Sequence, residues 1–517
     1  MWQLGRKTEV VLFLSLMENS PGQRSQPAVD SDASDRRDFD VIVVGGGFAG
    51  IGAAIRLRQA GFDFVLLEKA SELGGVWREN TYPDCACDVP SSFYSFSFAP
   101  KPDWSHVFAH QPEIKGYAAD TARAFGVTDA IRFGHEMLEA RWDPAASRWQ
   151  VETDRGRFSS RFVVMASGPM HVPVVPELPG LESFTGPSFH SAKWNHDVEL
   201  RGKRVAVIGT GASAIQFVPA IQPEVEQMAV FQRTAPWVLP KLDAPVSPAW
   251  QERFRRHPVT QRALRAVLYA QFEFLNWSLG QPGLRRRLER AAIANAYRSI
   301  KDEALRSKVV PDYAIGCKRV LQSNTWYRAL AQPNVSVLGG VERVEGGTIV
   351  SADGARFEAD VVVFATGFRV SNPPIAERIV GASGRTLAEQ WNGRPEAFRG
   401  TTVADCPNCF LMLGPNLYAF SSAFVMIEAQ LDYVVGALLE ARKRGVATLS
   451  LRPGPLAAFN SELQAALGTT VFNTGGCTSY FLDRTGRNST NWPWTVTKLR
   501  RGLRRVDLGD YDTTPAH

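Results

Sequence analysis

The sequence predicts an α/β fold with two Rossmann-like dinucleotide-binding halves, the second inserted into the first. Three observations carry this expectation. Gly45-x-Gly47-x-x-Gly50 follows the apolar run Asp40–Val44, and Gly209-x-Gly211-x-x-Ala214 follows Arg204–Ile208. Each leaves a strand and opens a helix, the context in which glycines let backbone N–H groups approach a pyrophosphate. Between them stands Phe184-x-Gly186-x-x-x-His190-x-x-x-Trp194. One such turn is weak evidence. Two in one chain point to two dinucleotides held side by side, with electrons passing between them.

The first half reads as one βαβ unit: Asp40–Val44 as a buried parallel strand, Gly45–Gly50 as the turn, Ile51–Gln59 as the helix and Phe64–Glu68 as the next strand. A loop-rich stretch from Ser71 to Pro112 follows. Arg141–Thr153 and Arg157–Met165 read as a hairpin that ends in Ala166-Ser167-Gly168, and Pro169–Pro179 as a linker. The second βαβ unit runs from Lys203 to Arg233, with Gln227–Phe231 as its second strand. Pro248–Ser307 is helical by pattern and reads as an insertion. Its aromatic stretch Leu264–Leu279 is expected to pack in a core; the alternative is a membrane or partner surface. Val335–Leu338 and Asp360–Phe364 are strands, the latter entering Ala365-Thr366-Gly367-Phe368. Phe410–Asn416 is a further strand-to-turn element. The expected division is a disordered N-terminal extension (1–37), the first cofactor domain (38–168 and 346–517, with a C-terminal closing segment) and an inserted second domain (169–345) carrying the helical insertion at about 248–307.

Composition bounds the function. The 517 residues allow two or three domains, and 44% hydrophobic and 21% charged content is ordinary for a globular enzyme. A net charge of +6 suits a phosphate-bearing ligand, and no nucleic-acid motif accompanies it. The six cysteines do not form a secreted framework, and Cys406-Pro-Asn-Cys409 lacks a second metal-ligating pair, so buried or loop thiols and no metal are expected. No run reaches the roughly 18 apolar residues of a membrane span. Arg6-Lys7 ahead of Val10–Met17 imitates a signal peptide but lacks a small-residue cleavage site. Met17 is an alternative translation start, and a cytoplasmic location is expected.

Two positions distinguish the ligands. Glu68 lies about 20 residues beyond Gly45, where a carboxylate holds ribose hydroxyls and repels a 2′-phosphate. That suits FAD or NAD. At the matching place of the second half stand Arg233 and Thr234, and an arginine there favours NADPH. Thr210, Ala212 and Ser213, between Gly209 and Ala214, are the remaining candidate contacts of the second turn.

At this point the residues resemble a family. Phe184, Gly186, His190 and Trp194 match the fingerprint of Baeyer–Villiger monooxygenases, a type of class B flavoprotein monooxygenase. Gly74-Gly75-Val76-Trp77, followed by Tyr82-Pro83 and Asp88, matches a second pattern of that family. The resemblance spans about residues 38–500. Two positions depart from it: Asn195 stands where Pro or Asp is usual, and Asp84 where a small residue is.

The resemblance implies FAD and NADPH as cofactors, O2 as co-substrate, and a C4a-peroxyflavin that attacks a ketone to give an ester or lactone. It implies that Arg319, in Gly316-Cys317-Lys318-Arg319, stabilises the anionic peroxide and tetrahedral adduct, with Asp88 against it and the flavin. It places Trp77 and Tyr94 at the flavin and Lys318 with Arg233 at the NADP 2′-phosphate. His190 and Trp194 then act as hinge or ordering residues, and Cys477–Trp494 as a segment over the substrate pocket. Three alternatives remain at this stage: oxygenation of N or S, a flavin disulfide reductase, and a flavin-binding sensor without activity. The partners expected are a small ketone or other oxidisable molecule and O2, without nucleic acid or integral membrane segment.

Overall fold

Unbroken runs of Val, Ile and Leu make the central strands of two sheets, because a strand covered on both faces needs apolar residues at every position. The structure, a computed structural model, describes residues 37–516. All but the last residue of the expected N-terminal extension lies outside them.

In the first sheet Asp38–Val44 pairs in parallel with Phe64–Glu68, with Val41 opposite Phe64 and Val44 opposite Leu67. The spatial order is Ile379–Val380, Met137–Asp143, Arg148–Thr153, Gly156–Met165, Asp38–Val44, Phe64–Glu68, Ile131–Phe133. Cys409–Leu411 joins it in parallel beside Val163–Met165. The stretch expected as one strand, Arg141–Thr153, is instead two antiparallel strands. Pro144 stops the first, and Asp143 Oδ1 accepts the N–H groups of Ala145 (2.9 Å) and Ala146 (3.2 Å), closing the turn.

The second sheet is parallel throughout, in the order Val335–Leu338, Gln227–Phe231, Arg204–Ile208, Val361–Phe364, Ser188–His190. Val361–Phe364 therefore belongs to this sheet although it lies beyond residue 345, where the second domain was expected to end. Between Val341 and Glu358 runs a small antiparallel meander.

The two halves repeat one piece of local geometry. Gly45 has φ +108°, and a Cβ there would stand 2.6 Å from the Ala166 carbonyl oxygen. Gly209 has φ +109°, and its Cβ would stand 2.5 Å from the carbonyl oxygen of Ala365. In each half a strand end, Ala166-Ser167-Gly168 or Ala365-Thr366-Gly367, closes on the first glycine of the turn. Gly50 completes the first turn: a Cβ there would lie 1.8 Å from the Gly45 oxygen. That contact lets the helix Phe48–Gln59 start against its own strand. The helix Ala423–Lys443 packs on the same helix, its Leu431 approaching Gly52 and its Phe424 ring 4.6 Å from Phe48.

The insertion is four helices: Pro248–Arg256, Pro258–Leu279, Pro282–Ser299 and Glu303–Val309. Proline at the first turn starts three of them, and Ser247 and Asp302 cap Trp250 N and Leu305 N. The aromatic stretch departs from expectation. Tyr269 and Phe272 pack on the core, but Phe274 and Trp277 are each more than half exposed. Among the described residues no helix is long and apolar enough to cross a membrane.

Gly50→Ala is expected to cost about 2–4 kcal/mol of stability, since backbone faces the added methyl and cannot rotate away. Thermal unfolding checks this; an unchanged Tm would show that the turn is not close-packed.

Candidate active site

The first glycine turn, Glu68, Trp77, Tyr94, Asp88 and Arg319 all line one cavity of about 640 Å³. Gly47 caps the helix Phe48–Gln59, whose positive end meets the cavity. A Cβ on Gly47 would meet only the Gly75 Cα, at 3.7 Å, so this pair of glycines keeps the approach to the backbone open. Glu68 is buried at the end of its strand. Its Oε2 accepts the Gly46 N–H, and its Oε1 accepts the N–H of Ala70 (2.8 Å) and Arg78 (3.0 Å). Arg78 was not among the expected residues. Its signal was its place directly after Trp77, one helical turn from the glycines.

Arg319 meets Asp88 across 231 positions of sequence, its Nη2 donating to Asp88 Oδ2. Each side chain keeps 28% exposure, and each opens on the cavity. Burial works most strongly against the Arg319 charge, but Asp88, Tyr418 and Tyr480 together outweigh it and raise its pKa above the ordinary arginine range. Trp77 Nε1 donates to Tyr94 Oη at 3.0 Å, and burial raises the Tyr94 hydroxyl's pKa, so it stays neutral. Gln216, also unforeseen, ties the Asp88 loop to the second half: its Oε1 accepts the Ala86 N–H at 2.7 Å. Burial likewise pushes the Cys85 thiol up to about 11. Asp84 is left-handed (φ 60°), a conformation Asp tolerates, and its carboxylate faces His110 at 3.6 Å.

The second turn has the same opening. A Cβ on Gly211 would meet only the Ala365 oxygen, at 3.9 Å, and the helix Ala214–Ile221 begins directly after Ser213. Ala212 and Ser213 line the large cavity; Gly209, Thr210, Gly211 and Ala214 do not. Arg233, Thr234 and Lys318 also stand away from it and form a cluster of their own. Lys318 Nζ donates to Thr234 Oγ1, and Lys318 titrates below its usual range because of burial first and the Arg233 charge second. Two neighbouring cations attract an anion, although the Asp312 carboxylate also acts on Lys318.

The middle fingerprint is structural in its contacts. His190 ends a strand opposite Phe364, is buried, and accepts the Ala192 N–H on Nδ1 at 3.1 Å. Burial brings its pKa down to about 4, so the ring is neutral. Trp194 packs between Phe189 (5.3 Å) and Phe217 (5.2 Å). Asn195 accepts the Asp197 N–H at 3.0 Å and makes the turn itself.

The C-terminal segment reaches the cavity through Ser489 and Thr490, while Asn416 holds it by donating to the carbonyls of Asn488 (2.9 Å) and Asn491 (3.1 Å). A disulfide joins Cys317 to Cys477. This corrects the expectation of thiols only: spacing gave no sign of a bond between residues 160 positions apart. The bond fastens the Arg319 loop to the segment that carries Tyr480. Cys406 and Cys409 are buried thiols in the core beneath the first sheet. Cys317→Ser is expected to cost about 2–5 kcal/mol and to speed cleavage of residues 471–494 by protease. Peptide mapping without reductant should recover Cys317 and Cys477 linked; recovering them as free thiols would refute the bond.

Residues 38–389 match the flavin-binding monooxygenase-like family. A Baeyer-Villiger monooxygenase of Streptomyces coelicolor is 49% identical over 476 residues, covering 91% of this chain and 92% of its own. Another from Pseudomonas aeruginosa is 41% identical, covering 92% of each. The solved structure of an OTEMO complex with FAD and NADP superposes with a TM-score of 0.84 at 25% identity, over 93% of this chain and 100% of the other. Two glycine turns, the first on the cavity and the second reaching it through Ala212 and Ser213, and near-complete matches of this kind place the chain in the flavin-binding monooxygenase-like family, as an enzyme of its Baeyer–Villiger type.

Proposed function

We propose that the chain binds FAD and NADPH and, with O2, inserts an oxygen atom next to a carbonyl, turning a ketone into an ester or lactone. The observation that carries this reading is the Arg319–Asp88 pair on the wall of the cavity that holds the first glycine turn. The Gly45–Gly50 turn would hold the FAD pyrophosphate, Glu68 its ribose, and Trp77 and Tyr94 its ring end. Gly209–Ala214 would hold the NADPH pyrophosphate, and Arg233, Thr234 and Lys318 its 2′-phosphate. The FAD part then comprises residues 38–168 and the chain after Phe364, where the second sheet ends. When bound, FAD supplies the redox chemistry with NADPH and O2.

The chain's own residues set the outcome at the carbonyl. Attack on a ketone builds negative charge on its oxygen, and Arg319 presents a permanent cation there on the cavity wall. Asp88 takes one N–H and fixes the guanidinium plane, leaving other donors for the oxyanion. Oxygenation of N or S develops no such oxyanion, so the pair favours the carbonyl reading. A disulfide reductase needs a reactive cysteine pair at the flavin, whereas burial leaves Cys85 and Cys87 protonated. Ser489 and Thr490 would help close the pocket over substrate. We place the reaction in the cytoplasm. The reading is tested by aerobic NADPH consumption over a panel of cyclic, linear, aromatic and steroidal ketones with product analysis; amine or sulfide oxidation alone would overturn it.

Arg233→Ala is expected to raise the KM for NADPH tenfold or more and leave that for NADH nearly unchanged, since each charge-assisted contact contributes about 1.5–3 kcal/mol. Equal losses with both cofactors would contradict the assignment. Arg319→Ala should keep flavin reduction, which involves no oxyanion, and lose oxygenation by ~10²–10³ or more. The variant should consume NADPH and release hydrogen peroxide, with Asp88→Ala a milder form and Arg319→Lys no rescue. Stopped-flow absorbance separates the steps; normal ester formation by Arg319→Ala would sink the mechanism.

A further inference from the structure

The helix Pro258–Leu279 carries apolar residues on its outward face as well as on its inward one. Its inward face packs Leu268, Tyr269, Phe272 and Leu279 on the protein body and is also tied to it by hydrogen bonds. Gln261 donates to the Lys101 carbonyl (2.7 Å), Arg265 to the Ser95 carbonyl (2.8 Å), and Asn276 to the Trp494 carbonyl (3.2 Å), while Glu273 accepts the Thr497 N–H (2.8 Å). Its outward face is apolar. Val259, Val267, Phe274 and Trp277 are 68%, 64%, 59% and 52% exposed, and Ala263, Ala266 and Ala270 are exposed beside them. At 3.6 residues per turn these seven positions fall within about 100° of one another, a continuous apolar stripe. A helix that only covered the body would be polar on that outward face.

The neighbouring surface is basic. On the next helix Arg286, Arg287, Arg290 and Arg298 are exposed and share one face, spread over about 120° with Tyr297 among them. Among the described residues none of these four arginines has an ion-pair partner. Trp250, on the helix before, is exposed under Arg253 at 5.2 Å. Residues 248–309 hold 13 Lys and Arg against 5 Asp and Glu, although the whole chain is only +6. Outside this segment acidic residues slightly outnumber basic ones.

We propose that this helical insertion docks the enzyme on an anionic phospholipid surface, with the stripe from Val259 to Trp277 in the headgroup–acyl boundary and the arginines against lipid phosphates. An apolar face rimmed by arginine and aromatic residues is the pattern of a helix lying in the interfacial plane. Each basic residue near an anionic leaflet adds to the attraction. A protein partner would leave the excess of unpaired arginine without explanation unless it were acidic and apolar at once. Phe272 and Leu275 of the same helix line the large cavity, so docking would bring a cavity wall to the lipid surface.

The test is co-sedimentation of the FAD-loaded full chain with vesicles of phosphatidylcholine alone or mixed with phosphatidylglycerol. The expected result is binding to the mixed vesicles at least tenfold above that to phosphatidylcholine, weakened by salt. The double variant Phe274→Asp/Trp277→Asp and the triple variant Arg286→Glu/Arg287→Glu/Arg290→Glu should each lose it tenfold or more, with Tm and flavin content unchanged. No binding by the unaltered chain, or equal binding by the variants, would overturn the proposal. So would a dimer in analytical ultracentrifugation that Phe274→Asp/Trp277→Asp dissolves, because a second copy would then cover the stripe.

Discussion

The structure depends on one repeated close approach: a backbone carbonyl at the end of a strand pressed against the first glycine of a phosphate-binding turn. Ala166 does this to Gly45 and Ala365 to Gly209. A side chain at either glycine would collide with backbone, which has nowhere to go. The constraint fixes where each helix begins and which way its N-terminus points. The openings at Gly47 and Gly211 follow from it. The first glycine of each turn is required by packing, the second by what the turn must admit.

Between the two turns lies the site that neither half builds alone. Asp88 comes from the loop after the first βαβ unit, Arg319 from the segment after the insertion, and Tyr418 from the chain beyond the second sheet. Gln216 and the Cys317–Cys477 bond hold those segments in place. A guanidinium in such surroundings would be unstable without a carboxylate partner. Asp88 therefore has two consequences from one contact. It allows the arginine to be enclosed, and it holds the charge where an oxyanion would develop.

Much of this was legible in the sequence, for a physical reason. The glycine turns, Glu68 and Arg233 occupy fixed distances from strands whose apolar runs are unmistakable, so local spacing determined them. The Arg319–Asp88 contact is not local, and only the likeness of whole motifs to a family placed the two together. What escaped reading was tertiary: Arg78 on Glu68, Gln216 on Ala86, and the bond between Cys317 and Cys477. None of these pairs has a spacing that periodicity or propensity can detect. The turn at Pro144 is the exception, local and readable, because a proline cannot continue a paired strand.

The insertion shows the limit of periodicity most clearly. A helical period says that a helix has an apolar face and a polar face; it does not say which faces the body. The usual assignment sends the aromatic face inward, since burial of apolar area drives folding. In Pro258–Leu279 aromatics lie on both sides: Tyr269 and Phe272 go inward beside Arg265 and Gln261, which donate to the carbonyls of Ser92, Phe93, Ser95 and Lys101, while Phe274 and Trp277 go outward. Leaving those carbonyls without partners in a packed interface would cost about 1–3 kcal/mol each. The orientation of the helix is thus set by those hydrogen bonds together with the core contacts of Leu268, Tyr269, Phe272 and Leu279, and a second apolar stripe remains on the other side.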